Sequence, residues 1–264
     1  MQFAPETMLL LTILVPLLAV FGILAAGKYP NLREGITVTA SLVLIFLVVG
    51  LYEIVLSGTP VIYSSSEMIP GLALSFEIEP LGMIFSLVAS FLWLVTTVYA
   101  IGYMRGHHEK NQTRFYACFA IAISSVMGIA FSDNLFTLFI FYEILTLSTY
   151  PLVTHAGTPA AKEGGRVYLG VLLTTSILFL LLAIIGTWYS AGTVDFRPGG
   201  IFSPNTSKLV TGTLLVLFIF GIGKAAIMPF HRRLPAAMVA PTPVSALLHA
   251  VAVVKAGVFT VLKV

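Results

Sequence analysis

The 264-residue chain is 58% hydrophobic and only 9% charged, with a formal net charge of +3. Soluble domains carry about 25% charged residues, so a water-facing globular domain is excluded, and so is nucleic-acid binding, because the basic residues sit in short stretches between apolar runs. Cys118 is the single cysteine, which excludes an internal disulfide and a Cys-based metal site.

Apolar runs of about 20 residues recur, the length at which a helix crosses a bilayer. They predict eight spans, at 8–26, 36–56, 82–103, 114–131, 135–154, 167–190, 209–229 and 244–262. The first follows Glu6 with no Lys or Arg ahead of it, unlike the positive start of a secretory signal, and reads as a retained helix. Lys28 and Arg33 lie between spans 1 and 2, Arg105, Lys110 and Arg114 between 3 and 4, Lys162 and Arg166 between 5 and 6, and Arg232 and Arg233 between 7 and 8. The alternate loops hold only Arg197 and Lys208. That asymmetry places the basic loops in the cytoplasm, the N-terminus outside, and the chain in the cell membrane. In the loop 57–80, "PVIYSSSE" and "LALSFEIEP" alternate apolar and polar residues, which predicts a small extracytoplasmic β-hairpin around a Ser-rich turn. The fold class is therefore an all-α integral membrane protein of about eight transmembrane helices plus that hairpin.

Four ionisable groups remain inside spans: Glu143 in span 5, Lys224 in span 7, and His249 and Lys255 in span 8. A charge at bilayer depth costs about 2.5–3.5 kcal/mol on insertion scales and faces a partner or a wet cavity. Counting about 1.5 Å per residue from the outer ends puts Glu143 about 14 Å deep and Lys224 about 22 Å deep, close enough to meet. Counted from the other side, His249 is about 9 Å and Lys255 about 18 Å in, as further rungs of one ladder. Buried alone, each charged form is disfavoured, whereas as a pair both stay charged. A Lys whose partner can move is a workable proton-transfer element. Pro229 cannot donate to the carbonyl of Ala225, and Gly221 and Gly223 loosen the turn before it, so span 7 is expected to be a broken helix lining a cavity. Thr242 and Pro243 then read as the N-cap and first-turn proline of span 8.

Each of these groups also has a plainer reading: Glu143 and Lys224 as structural hydrogen-bond anchors between helices, Lys255 as a charge that neutralises another group, and His249 as a polar packing residue. Glu53 reads as an interface residue and Cys118 as packing. His107 and His108 read as a solvated loop pair rather than a metal site. The chain has no glycine-rich phosphate loop at a strand–helix junction and no nucleophile elbow. No metal, nucleotide, flavin or haem site is expected, and no active site of its own.

"FYEILTLSTYPL" and "GIGKAAIMPFHRRLPAAMVAPTPVSALLHAVAVVKAGVF" resemble the antiporter-like proton-conducting subunits shared by complex I, multisubunit Mrp cation/proton antiporters and membrane-bound hydrogenases. The wording around Glu143 and "HAVAVVKAGVF" is more similar to a D-type Mrp subunit than to a complex I subunit. The resemblance implies that Glu143 is the helix-5 glutamate, Lys224 the helix-7 lysine it pairs with, and His249 and Lys255 the helix-8 relay. It implies a division into helices 1–3 with the hairpin (1–112) and a first five-helix unit, helices 4–8 (113–264). The family's second, inverted unit lies beyond the matching half. The residue after "PFHR" is Trp in the family and Arg233 here, which is expected to alter a cytoplasmic contact and to spare the charged axis.

The leading expectation is a proton-translocating subunit of a larger membrane complex, coupled to Na⁺ or another monovalent cation. Alternatives are a membrane-arm subunit of an NADH:quinone or hydrogenase complex, a non-conducting structural half-subunit, and a bicarbonate-uptake partner. The expected partners are other membrane subunits, protons and lipid.

Overall fold

The computed structural model describes residues 4–58, 60–69, 72–197, 199–203, 206–247 and 252–264. Prolines open many of the helices, as their fixed φ and missing N–H suit the first turn: α1 (Pro5–Ala25), α2 (Pro30–Leu56), α3 (Pro80–Gly106) and α6 (Pro159–Thr175) all begin on one. α4 is Gln112–Ala130 and α5 is Leu135–Val153. Side-chain caps set two starts. Asn134 accepts from the Thr137 N–H at the head of α5, and Thr158 accepts from the Ala161 N–H at the head of α6.

α6 does not stop where an α-helix would. It passes through a π-helical turn, Ser176–Leu180, into α7 (Leu181–Ala191), giving one apolar stretch from Pro159 to Ala191. Then come α8 (Lys208–Gly221), 3₁₀ turns at Gly223–Ala225 and Phe230–Arg232, and the short helices α9 (Arg233–Ala237), α10 (Thr242–Ala246) and α11 (Val253–Lys263). Among the described residues six helical stretches are long and apolar enough to cross a membrane, with α8 a shorter apolar helix. The eighth span is represented by α10 and α11, with 248–251 outside the described residues.

α4 sits at the centre, packed by α1, α3 and α5. Its Ala117, Ala120, Ala122, Ser124 and Ser125 are buried, and small residues let neighbouring backbones approach where lipid offers no hydrophobic drive. The outward faces are apolar: Phe21, Phe46, Phe91 and Leu18 are exposed, Phe46 by 73%. In water such a surface would aggregate; in a bilayer it is the solvent-compatible face.

The hairpin forms from β1 (Ile62–Ile69) paired antiparallel with β2 (Leu72–Glu77). The Ser-rich run is not its turn: Ser64 pairs with Ser75 inside the ladder, and register shifts on either side of Glu67 absorb the irregularity. The hairpin is tied to the head of α5. Glu77 N–H donates to Phe131 O at 2.8 Å, Asp133 N–H to Ser75 O at 3.0 Å, and Ser75 Oγ to Asp133 Oδ2 at 2.6 Å. At the same end Lys263 pairs with Glu79 at 2.8 Å and donates to Ser132 O. The opposite end is closed by Glu34, which accepts from Arg105 and Arg33, while Arg33 also donates to Gln112 and Thr113. The loops therefore alternate between a hairpin end and a basic end, as the sequence implies.

Candidate functional site

Span 7 breaks before Pro229 is reached. α8 ends at Gly221, and the chain runs through the 3₁₀ turn and a left-handed Ala226 (φ 56°) to an exposed Pro229. The break expected in span 7 is present, with α8 ending at Gly221 rather than at Pro229, and packing supplies the reason. A Cβ at Gly221 would collide with the Leu180 backbone, and one at Gly223 with Thr175, so the broken segment presses directly on the π-helical turn. π turns leave irregular backbone inside a helix, and here the two irregular segments face each other. From the other side Gly257 of α11 meets the Lys224–Ala225 peptide with no room for a side chain.

Lys224 lies in this break with 0% exposure. Its Nζ donates to Tyr142 O at 2.7 Å and to Thr146 Oγ1 at 2.5 Å, and it lies 3.1 Å from the centroid of the Tyr142 ring. The Lys224 N–H donates to the Tyr142 hydroxyl at 3.0 Å. Tyr142, Thr146 and Thr149 follow one face of α5, and Thr149 Oγ1 is 2.9 Å from the Tyr168 hydroxyl of α6. The ammonium is thus held by neutral acceptors and a π face, which partly replace lost water.

Glu143 is adjacent in sequence to Tyr142 but on a different face of α5. Its carboxylate is near enough to act electrostatically on the Lys224 ammonium, yet the two form no ion pair within 4 Å in this arrangement. One carboxylate oxygen, Oε1, is buried without a hydrogen-bond partner. The expected Glu143–Lys224 contact is therefore an adjacency here rather than a closed pair. Lys255 is exposed on α11, whereas Lys224 is buried. His249 lies outside the described residues.

Arg233 is the residue that sequence reasoning placed wrongly. Of the adjacent pair, Arg232 is exposed and Arg233 is 1% exposed. Its Nε donates to Gly223 O at 2.8 Å and its Nη2 to Lys224 O. The end of a helix leaves carbonyls without partners, and this guanidinium supplies donors to them. Arg233 therefore packs on the Lys224 backbone segment, beyond the cytoplasmic contact expected of it. The signal in the sequence was the doubled arginine beside a proline-rich turn at the membrane edge, where only one of two neighbours can face water. The hydroxyl stripe of Tyr142, Thr146 and Thr149 was also legible, as polar residues at helical spacing in an apolar span.

A family model described as NADH:quinone oxidoreductase/Mrp antiporter, TM, matches residues 132–264, and one described as NADH-ubiquinone oxidoreductase (complex I), chain 5 N-terminus, matches 71–116. The A/B subunit of the probable K⁺/H⁺ antiporter of Rhizobium meliloti is 33% identical across 98% of this chain and 26% of its own length. The NAD(P)H-quinone oxidoreductase chain 5 of Picosynechococcus is 32% identical over 72% of this chain and 29% of its own. The chain thus spans 26% and 29% of the lengths of these two relatives. Among solved structures, the Mrp complex from Dietzia sp. DQ12-45-1b superposes with a TM-score of 0.76 at 27% identity, covering 94% of this chain and 27% of that one. The archaeal membrane-bound sulfane sulfur reductase gives 0.84 at 22% identity, covering 96% and 52%; it shares the fold.

Proposed function

The chain belongs to the NADH:quinone oxidoreductase/Mrp antiporter family of membrane subunits, and from that premise we propose that it moves protons within a multisubunit membrane complex coupled to a monovalent cation. One observation carries the reading: Lys224 is fully buried at a helix break, held by neutral acceptors, with the Glu143 carboxylate beside it and not yet on it. When that carboxylate closes on the ammonium, both charges are retained. When it turns away, the ammonium stands alone in a low-dielectric site and release of its proton is favoured. Thr146 and Tyr142 offer the acceptors between these states. Arg233 holds the Gly223 and Lys224 carbonyls, so the broken segment keeps its shape while side chains move. Lys255 and His249 are proposed as later relay positions, with the exposed Lys255 facing whatever packs against α11. Residues 1–112 act as the supporting helices and hairpin, and 113–264 as the proton-handling unit. The N-terminus and hairpin lie outside the cell membrane, and the basic loops lie in the cytoplasm.

Cation antiport is put ahead of a redox-driven arm on one antiporter relative that aligns across 98% of this chain; a second antiporter relative aligns across 72%, as the quinone oxidoreductase relative does. Na⁺ is the proposed cation.

The test uses the complex purified from native membranes in mild detergent and reconstituted into vesicles. Lys224→Met and Glu143→Gln are each expected to lower cation-dependent proton flux by roughly tenfold or more, with assembly intact. Unchanged flux in both would remove the proton-carrying role. Mass spectrometry of the partners decides the coupling: small antiporter subunits support antiport, and flavin or iron–sulfur subunits replace it with a redox drive.

A further inference from the structure

A second polar feature lies away from Lys224, at the basic end. The α3–α4 connection, the end of α5 and the start of α6 enclose a cavity of about 620 Å³ lined by Glu109, Lys110, Arg114, His155, Lys162 and Arg166, among others. That volume lies within the range of small-ligand sites, roughly 300–1,000 Å³. Among the described residues none of the four Lys and Arg side chains forms an ion pair. Lys162 and Arg166 are one helical turn apart on α6, where like charges repel. Among the described residues, Glu109 is the one carboxylate in the cavity lining.

His155 lines the same cavity. Its side chain is 1% exposed, yet neither ring nitrogen makes a hydrogen bond of normal geometry, and its Nε2 comes no closer than 3.8 Å to Glu109 Oε2. Arg114 donates to the His155 carbonyl at 3.3 Å, which fixes the guanidinium at the mouth of the same cavity. A buried imidazole whose charged neighbour stands 3.8 Å away is incompletely satisfied, and a cavity lined by Lys and Arg side chains without ion-pair partners suits an anion. Closer to the middle of the two helices, Leu147 of α5 and Val167 of α6 are exposed apolar side chains.

We propose that this cavity binds the phosphate oxyanion of an anionic ligand, either an anionic phospholipid headgroup or free phosphate. Lys162 and Arg166 give the charge, Arg114 the oriented guanidinium, and His155 a donor N–H from the floor. Arginine and lysine clusters at the membrane surface attract acidic headgroups in this way, and the exposed Leu147 and Val167 would receive the acyl chains.

The experiment places the purified complex in nanodiscs of phosphatidylcholine and phosphatidylglycerol in equal parts and measures retained lipid by native mass spectrometry. The wild type is compared with the double variant Lys162→Gln/Arg166→Gln, with the charge-keeping Lys162→Arg/Arg166→Lys, and with Arg197→Gln, a basic residue near the hairpin end. Both α6 positions are exposed, so folding is expected to survive. Enrichment of phosphatidylglycerol that is lost only in the charge-neutral double variant, and is not displaced by inorganic phosphate, identifies a lipid headgroup. Binding of inorganic phosphate that the same variant loses, without lipid enrichment, identifies free phosphate. If the neutral variant matches the wild type in both assays, the proposal is overturned. None of these outcomes bears on proton flux through Lys224, which is assayed separately.

Discussion

At the scale of single residues, the two buried cations divide the work. Lys224 carries a mobile proton in the proposal, while Arg233 holds two backbone carbonyls. Arg233→Gln removes donors from buried acceptors, and each unsatisfied carbonyl costs about 1–3 kcal/mol. A lowered melting temperature of the complex is expected, together with a shifted pH profile of proton flux, because a fixed cation near Lys224 is lost. Unchanged melting would mean that water replaces the guanidinium. His155 gives a pH prediction outside the spanning helices. Burial, with Arg114 nearby, lowers its pKa below the usual 6.5, against smaller opposing effects of Glu109 and the Lys110 backbone. The folded state therefore favours neutral imidazole. Its contribution to stability is present above pH 6.5 and is lost as pH falls through the lowered folded value. Melting temperature is expected to decline below pH 6.5 in the wild type and to decline less in His155→Gln.

The elements show why the break falls where it does. Proline chemistry alone would place it at Pro229, but the glycines decide it, because α8 must end where its backbone meets the π turn of the neighbouring helix. Gly257 completes the cage by allowing α11 to touch the Lys224–Ala225 peptide. Gly257→Ala is expected to destabilise by about 1–3 kcal/mol and to reduce proton flux, since the collision is with backbone that cannot turn aside. Gly212 of α8 faces open space, so Gly212→Ala is expected to leave flux unchanged and melting equal or slightly higher. Equal effects of the two substitutions, measured side by side, would show that contact with the break is not what matters.

For the whole molecule, the two ends differ in chemistry. One carries the hairpin, Glu79 paired with Lys263, and the Asp133–Ser75 contact; the other carries the Glu34–Arg105 closure and the basic cavity. With Cys118 replaced by Ser, a membrane-impermeant maleimide is expected to label Ser64→Cys in intact cells and Lys110→Cys only after permeabilisation. The reverse pattern would invert the proposed orientation, and with it the side proposed to supply protons to Lys224.

Much of this was written in one dimension. Hydropathy and length marked the first six spans, loop charge grouped the loops by end, and the alternation around the Ser run pointed to the hairpin, because each of these follows from local solvation and backbone period. Glu143 and Lys224 stood out because isolated charges in apolar runs are expensive. What the chain could not show in that form is direction. Whether Glu143 touches Lys224, that Lys255 faces outward, that Arg233 turns in while Arg232 turns out, and that His155 is buried beside unpaired cations all depend on how helices rotate and press on one another. That rotation is settled by contacts between residues far apart in sequence: Gly221 against Leu180, Gly257 against Ala225, and Lys224 against Tyr142. Only close packing in three dimensions decides them.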